Sequence, residues 1–267
     1  MTGAVQKRIG LIGTPRNPLQ RGGPAPELET LIGGIELVAF PSRVPAFPYT
    51  PLEQAMQALG HAEAALSAAE AGCTAVVIDS VGDYGLAAMR AMLPVPAMGS
   101  GQAGLDEAAR GGRRFGIVTV WPESMNFILA ERLAACGCGA ACIGIVNVAE
   151  DADTQALSGP DGYLAQVREA RVAVVGKVLA GVAELTARGA EAVLLGCTCM
   201  SGMADAIAQG SRVPIINPLA AGVRAASQAD PLAAAPLARE GRAAWLRSMV
   251  DAVADGPAED CPVCIAS

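Results

Sequence analysis

The chain carries one of its own segments twice. Gly72-Cys73-Thr74-Ala75-Val76-Val77-Ile78-Asp79-Ser80 runs in step with Gly189-Ala190-Glu191-Ala192-Val193-Leu194-Leu195-Gly196-Cys197, which sets Ser80 opposite Cys197. An alanine-rich helical pattern precedes each copy. Each is followed, after a further helix, by a Val-Pro dipeptide and a short apolar strand, Val95-Pro96-Ala97-Met98 in one half and Val213-Pro214-Ile215-Ile216 in the other. A third echo relates Arg8-Ile9-Gly10-Leu11-Ile12-Gly13 to Arg114-Phe115-Gly116-Ile117-Val118-Thr119. A repeated unit of strands alternating with helices predicts an α/β fold built twice: two small parallel sheets flanked by helices, each half giving one site residue.

The second copy shows what such a residue does. Ala192 to Leu195 is short and continuously apolar, as a parallel strand covered on both faces must be, and Gly196 lets the backbone turn sharply beside a ligand. Cys197 then lies outside the carboxyl end of a strand, where open α/β sheets bind their ligands. Thr198, Cys199 and the backbone N–H groups after them open a helix, a setting that favours anions and lowers a thiol pKa. Cys197 is thus a candidate base or nucleophile. A cysteine at the end of a buried strand often only fills a core, but the duplication and the Thr-Cys-Met-Ser-Gly context favour chemistry here.

The chain has 267 residues, 52% of them hydrophobic and 17% charged, enough core for one large or two small domains. A net charge of -7 argues against nucleic acid or an anionic membrane as partner and leaves a small molecule. The first eight residues hold no sustained apolar run and the next one is too short for a signal core, so a reducing cytoplasm is expected. The one histidine, His61, falls mid-helix in a segment predicted from Leu52 to Ala71, away from any strand tip; it reads as a solvated or capping residue and disfavours a Cys-His or Ser-His-Asp triad. Cys261-Pro262-Val263-Cys264 is a lone CxxC without a matching second pair, and Cys136, Cys138 and Cys142 read as packing thiols, so no metal is expected.

Between these landmarks the alternation continues. Arg8–Gly13 and Glu36–Phe40 read as strands, the first followed by a loop through Thr14 and Gly22-Gly23-Pro24, and loops at strand tips carry function, which makes Thr14 a candidate binding residue. Pro41 to Pro51, with Phe47 and Tyr49, is irregular and reads as a lid or a rigid connection. Helices are predicted over 103–111, 124–135 and 163–188, the last a single long one, and strands over 115–120 and 143–148. The alanine-rich helix over 52–71 leaves room for a homo-oligomer.

Gly196-Cys197-Thr198-Cys199-Met200-Ser201-Gly202-Met203, with the downstream Val213-Pro214-Ile215-Ile216 and Ala220-Ala221-Gly222-Val223, resembles the second cysteine motif of the aspartate/glutamate/hydantoin racemase superfamily, in particular its hydantoin and allantoin racemase branch. Ile78-Asp79-Ser80-Val81-Gly82-Asp83-Tyr84-Gly85-Leu86 is similar to that branch's first motif, in which a cysteine and one further residue precede Gly-Asp-Pro-Gly-Leu. The resemblance runs from residue 8 to about 228. It implies two pseudo-symmetric lobes, here 1–100 with about 218–267 and about 101–217, an active site in the cleft between them, and no metal, pyridoxal phosphate or nucleotide. It further implies an isomerase in which one thiolate removes the α-proton of an amino-acid derivative or cyclic ureide and a thiol on the opposite face returns one. By position, Thr198 and Cys199 after Cys197, and Val81 and Gly82 after Ser80, would hold the carboxylate or imide, with Thr119 and Trp121 lining the same cleft.

The chain departs from that pattern at Ser80, which stands in the first cysteine position and is a far weaker proton donor and acceptor than a thiol. Asp79 is expected to point away from the cleft by strand alternation, while Asp83 is a candidate partner if its loop turns it inward. Single-cysteine relatives, the arylmalonate decarboxylases, resemble this chain in one Gly-Cys site and a Thr-x-Tyr segment, here Thr119-Val120-Trp121, followed by an asparagine, here Asn126. They imply a lyase alternative in which Cys197 protonates the carbanion left by carbon dioxide. A member that only binds its ligand is the third reading.

Overall fold

The apolar runs become two four-stranded parallel sheets in the computed structural model, which describes residues 7–13, 28, 33–44, 46–154, 157, 162–230 and 241–254. In chain order the elements are β1 (Arg8–Gly13), β2 (Glu36–Pro41), α1 (Pro51–Glu70), β3 (Ala75–Asp79), α2 (Leu86–Met92), β4 (Ala97–Gly99), α3 (Ser100–Ala108), β5 (Phe115–Thr119), α4 (Asn126–Cys136) and β6 (Cys142–Asn147). There follow α5 (Asp151–Thr154), α6 (Tyr163–Arg168), α7 (Val172–Ala187), β7 (Ala192–Leu195), a 3₁₀ turn (Thr198–Met203), α8 (Ala204–Gly210), β8 (Ile215–Ile216), α9 (Pro218–Gln228) and α10 (Arg242–Ala254). Strand order is β2-β1-β3-β4 in the first sheet and β6-β5-β7-β8 in the second, one topology used twice, as the duplicated sequence predicts.

Register matches as well as order. Ile9 pairs with Ala75 and Ile12 with Ile78, just as Phe115 pairs with Ala192 and Val118 with Leu195. Val76 meets Ala97 where Val193 meets Ile215. These are the pairs that aligning the two halves demands. The halves differ at the edge: β5 and β6 shift register between Phe115 and Ile117, while β1 and β2 pair without a shift. Strands β3, β5 and β7 are buried along their whole length, which is why they read as apolar runs, ended in β3 and β5 by Asp79 and Thr119, rather than as alternating ones.

The helix that closes each half lies on the other sheet. α3 follows the first sheet and lays Leu105 and Ala108 on Phe115, Ile117, Ala192 and Leu194 of the second. α9 follows the second and lays Leu219, Ala220, Val223 and Ala226 on Ile9, Leu11, Ala75 and Val77 of the first. The two helices cross at Gly104 and Gly222, which occupy equivalent positions. A Cβ on Gly222 would lie 2.9 Å from Val77 Cγ1 and 3.0 Å from Ser100 Oγ, and one on Gly104 2.9 Å from Leu194 Cδ1 and 3.1 Å from Pro218 Cβ, so only glycine admits the crossing. Asn217 caps α9 by accepting from the Leu219 and Ala220 N–H groups, with Pro218 in its first turn.

Two expectations are corrected. The helix predicted over 163–188 is broken into α6 and α7 at Ala170, whose φ is 51°; the Ala170 and Arg171 N–H groups turn back onto Val167 and Gln166 and close α6. The continuous helical pattern conceals this break, which buries Tyr163, Leu164 and Val167 in the second sheet's core. His61 is fully buried in α1 rather than solvated, its ring 5.8 Å from that of Tyr84, because α1 buries an unusually broad face that also takes in Gln57 and Glu63. Cys136, Cys138 and Cys142 are half-buried and pack against the core between α3, α4 and the second sheet. Thr14, the glycine-rich loop behind it, Cys261 and Cys264 lie outside the described residues. No helix among the described residues is long and apolar enough to cross a membrane.

Candidate active site

The carboxyl ends of β3 and β7 open into one cleft. Ser80 follows β3 and Cys197 follows β7, each half-buried where the strand before it is fully buried. At both tips the presented atom accepts a hydrogen bond from the backbone N–H two residues on: Gly82 N–H to Ser80 Oγ at 3.2 Å, and Cys199 N–H to Cys197 Sγ at 3.1 Å. The tips are tied together by the Thr198 hydroxyl, which donates to the Asp79 carbonyl at 3.1 Å in a buried contact between residues adjacent to Cys197 and Ser80. Cys197 and Cys199 are joined by a disulfide, with Cα atoms 5.2 Å apart. A disulfide sulfur neither takes nor gives a proton, so any proton transfer at this sulfur requires the reduced thiol.

A third strand tip completes the wall. The Thr119 hydroxyl donates to the Gly196 carbonyl at 3.4 Å and accepts from the Trp121 N–H at 3.3 Å, joining β5 to β7. Asn126 and Asn147 exchange hydrogen bonds of 2.8 and 3.1 Å, and Asn147 also donates to the Trp121 carbonyl, which fixes the turn. The Trp121 ring packs edge-on against Phe47, 5.3 Å between centroids, so the proline-rich segment supplies part of the wall through Phe47 and Pro48. Met125, Ile128, Leu129 and Leu164 continue it as an apolar surface, and Arg168 adds one cation.

Of the residues expected at the site, Ser80, Val81, Thr119, Trp121, Cys197, Thr198 and Cys199 line the cleft. Gly82 contributes its N–H to Ser80 without lining the cleft. Asp83 is a correction: its positive φ of 49° turns the carboxylate away from the cleft onto the start of α3, where it accepts from the Gly101 and Gln102 N–H groups at 2.8 and 2.7 Å. Burial pushes its carboxyl up to about 6, against the pull of those two N–H groups and of Arg132 and Arg90. Asp79, expected to face away, does contribute to the cleft wall; its side chain lies beside Gly13 and its carbonyl takes the Thr198 bond. Among the described residues no cluster of histidine, cysteine and carboxylate side chains could hold a metal ion.

The model of the Asp/Glu/hydantoin racemase family matches residues 34–226. The chain belongs to that family. A hydantoin racemase from Pseudomonas sp. (strain NS671) is 28% identical over 155 residues, 58% of this chain, and the match spans 57% of that relative's length. Among solved structures, allantoin racemase from Klebsiella pneumoniae superposes with a TM-score of 0.64 at 23% identity, covering 82% of this chain and 86% of that one. Allantoin racemase from Pseudomonas fluorescens gives 0.63 at 20%, covering 82% and 88%, and a liganded double variant of arylmalonate decarboxylase 0.51 at 16%, covering 82% and 91%. These likenesses establish the shared fold.

Several side chains of the racemase-family cleft escaped the sequence reading. Leu164 and Arg168 stand four apart on α6, a same-face spacing hidden when that helix is merged into a longer one. Tyr84 is buried and lines the cleft beside Ser80, which draws its phenol pKa down against the rise from burial. The one available signal is that tyrosine stands where the resembled Gly-Asp-Pro-Gly motif has proline.

Proposed function

We propose that this racemase-family protein transfers a proton at the α-carbon of an amino-acid derivative or cyclic ureide such as a hydantoin, with Cys197 as acid/base on one face and Ser80 toward the other. The observation that carries this reading is the equivalence of the two tips: register-matched strands end at Ser80 and Cys197, both face one cleft, and each presented atom is held by the N–H two residues on. The reduced Cys197 thiolate removes the proton; negative charge then spreads onto the substrate carbonyl or carboxylate, where Arg168 and the strand-tip N–H groups, that of Thr198 among them, are the stabilising groups. Phe47, Trp121, Ile128 and Leu164 suit an apolar α-substituent. Every step uses the chain's own sulfur, hydroxyls and N–H groups.

The apolar wall favours a second reading, a decarboxylase in which carbon dioxide leaves against that wall and Cys197 alone protonates the carbanion. Proton NMR in D₂O separates the two, using reduced protein, enantiopure 5-substituted hydantoins, allantoin, acidic amino acids and aryl or alkyl malonates, with optical rotation recorded on the same samples. Loss of the α-proton signal together with rotation is the expected result. Carbon dioxide release with deuterium in one product enantiomer would instead establish the decarboxylase, and no change with any substrate would leave a protein that only binds its ligand.

A further inference from the structure

A lone serine hydroxyl is a poor proton donor near neutral pH and a poorer base, which leaves the first strand tip short of the chemistry at the second. Tyr84 stands behind that tip. Its chain folds back over Gly82 so closely that a Cβ there would lie 2.6 Å from the phenolic oxygen, so the glycine is what admits the ring. The phenol lies beside Ser80, near enough for the serine to draw its pKa down, and the ring lines the cleft with Ser80 and Cys197 while only 7% exposed. His61, fully buried, packs against the ring with 5.8 Å between centroids. Because the Gly82 N–H already occupies one acceptor direction of Ser80 Oγ, the serine is left with its proton and one lone pair to divide between Tyr84 and a substrate.

We propose that Tyr84 is the positioning residue that makes Ser80 the second acid/base of the cleft, its hydroxyl aiming the serine hydroxyl at the face opposite Cys197 and exchanging a proton with it. The inference rests on the proton-transfer function proposed above. With one enantiomer, the Cys197 thiolate takes the α-proton, Ser80 gives its proton to the opposite face of the carbanion, and the Tyr84 proton moves to Ser80 Oγ; the products are thiol, serine and tyrosinate. With the other enantiomer the tyrosinate takes the Ser80 proton, Ser80 takes the α-proton, and the Cys197 thiol protonates the opposite face. Burial drives the Tyr84 phenol upward more than the neighbouring Ser80 lowers it, which keeps it neutral in the resting protein.

The test uses reduced full-length protein and the two enantiomers of 5-benzylhydantoin in D₂O, comparing wild type, Tyr84→Phe, Ser80→Cys and the double variant. Tyr84→Phe is expected to lower kcat for racemisation at least 30-fold with KM changed less than about threefold, while one enantiomer still exchanges its α-proton without inversion through Cys197. In the Ser80→Cys background the same substitution is expected to change kcat less than about threefold, because a thiol at that tip needs no relay. Wild-type kcat in Tyr84→Phe overturns the proposal. So does an equal loss in both backgrounds, which would make Tyr84 a packing group. Failure of the underlying reading has a different signature: Cys197→Ala that still exchanges the proton, or wild type that exchanges neither enantiomer, removes both.

Discussion

The two strand tips share backbone and differ in what the backbone holds. At each, a strand of matched register presents a side-chain atom to the cleft, and an N–H two residues on donates to it. Past that point they diverge. The first tip continues through a loop in which Asp83 and Gly85 take positive φ values of 49° and 78°, bringing Tyr84 behind Ser80; the second winds into a 3₁₀ turn that places Cys199 beside Cys197. The comparison teaches that the duplicated frame fixes where a side-chain atom is presented to the cleft, while the residues two to four positions later decide what packs behind it.

The largest effect expected from breaking this comparison is chemical. Cys197→Ala should lower turnover by about 10³-fold or more, and Ser80→Ala by about 30–100-fold, with circular dichroism unchanged in both. Equal losses would mean that the tips are equivalent after all. The next effect is electrostatic and belongs to the first tip alone. The folded-state carboxyl of Asp83, raised from 3.8 to about 6, favours the folded chain below the unfolded value and loses that contribution as pH rises through about 6. Urea unfolding should therefore show stability falling between about pH 4 and pH 6 by on the order of 2–3 kcal/mol, and Asp83→Asn should flatten that slope. Gly82→Ala, which drives a methyl into the Tyr84 ring, should cost about 1–3 kcal/mol and lower activity by displacing the ring from Ser80. Thr198→Val removes the bond to the Asp79 carbonyl that ties the tips together and should cost about 1–2 kcal/mol in the same assay.

The parts of the fold legible in the sequence are those whose signal is local and repeated. β3, β5 and β7 are buried on both faces, so their residues are apolar up to the polar Asp79 and Thr119 that end β3 and β5, and the echo between the halves aligns them residue for residue. Position at a strand tip was then enough to pick out Ser80, Cys197, Thr119 and Trp121. The side chains missed or misdirected depend on the sign of one dihedral or on packing between distant segments. Nothing around Asp83 announces that its φ is positive and its carboxylate caps α3; nothing in the pattern from 163 to 188 marks the turn at Ala170 that presents Leu164 and Arg168 to the cleft. The burial of His61 and the reach of Tyr84 to Ser80 arise where α1 meets the first tip, a contact no local window contains.

The exchange of closing helices bears on synthesis at the ribosome. Ile9, Leu11, Ala75 and Val77 form a sheet face whose cover, α9, is encoded by residues 218–228, so no completed first half can bury that face by itself. At translation rates of about 5–20 residues per second, the face waits on the order of ten seconds for its helix, exposed to chaperones and to neighbouring nascent chains. A chain arrested before α9 is made would thus be most prone to aggregate through its first sheet, although every strand of that sheet was finished long before.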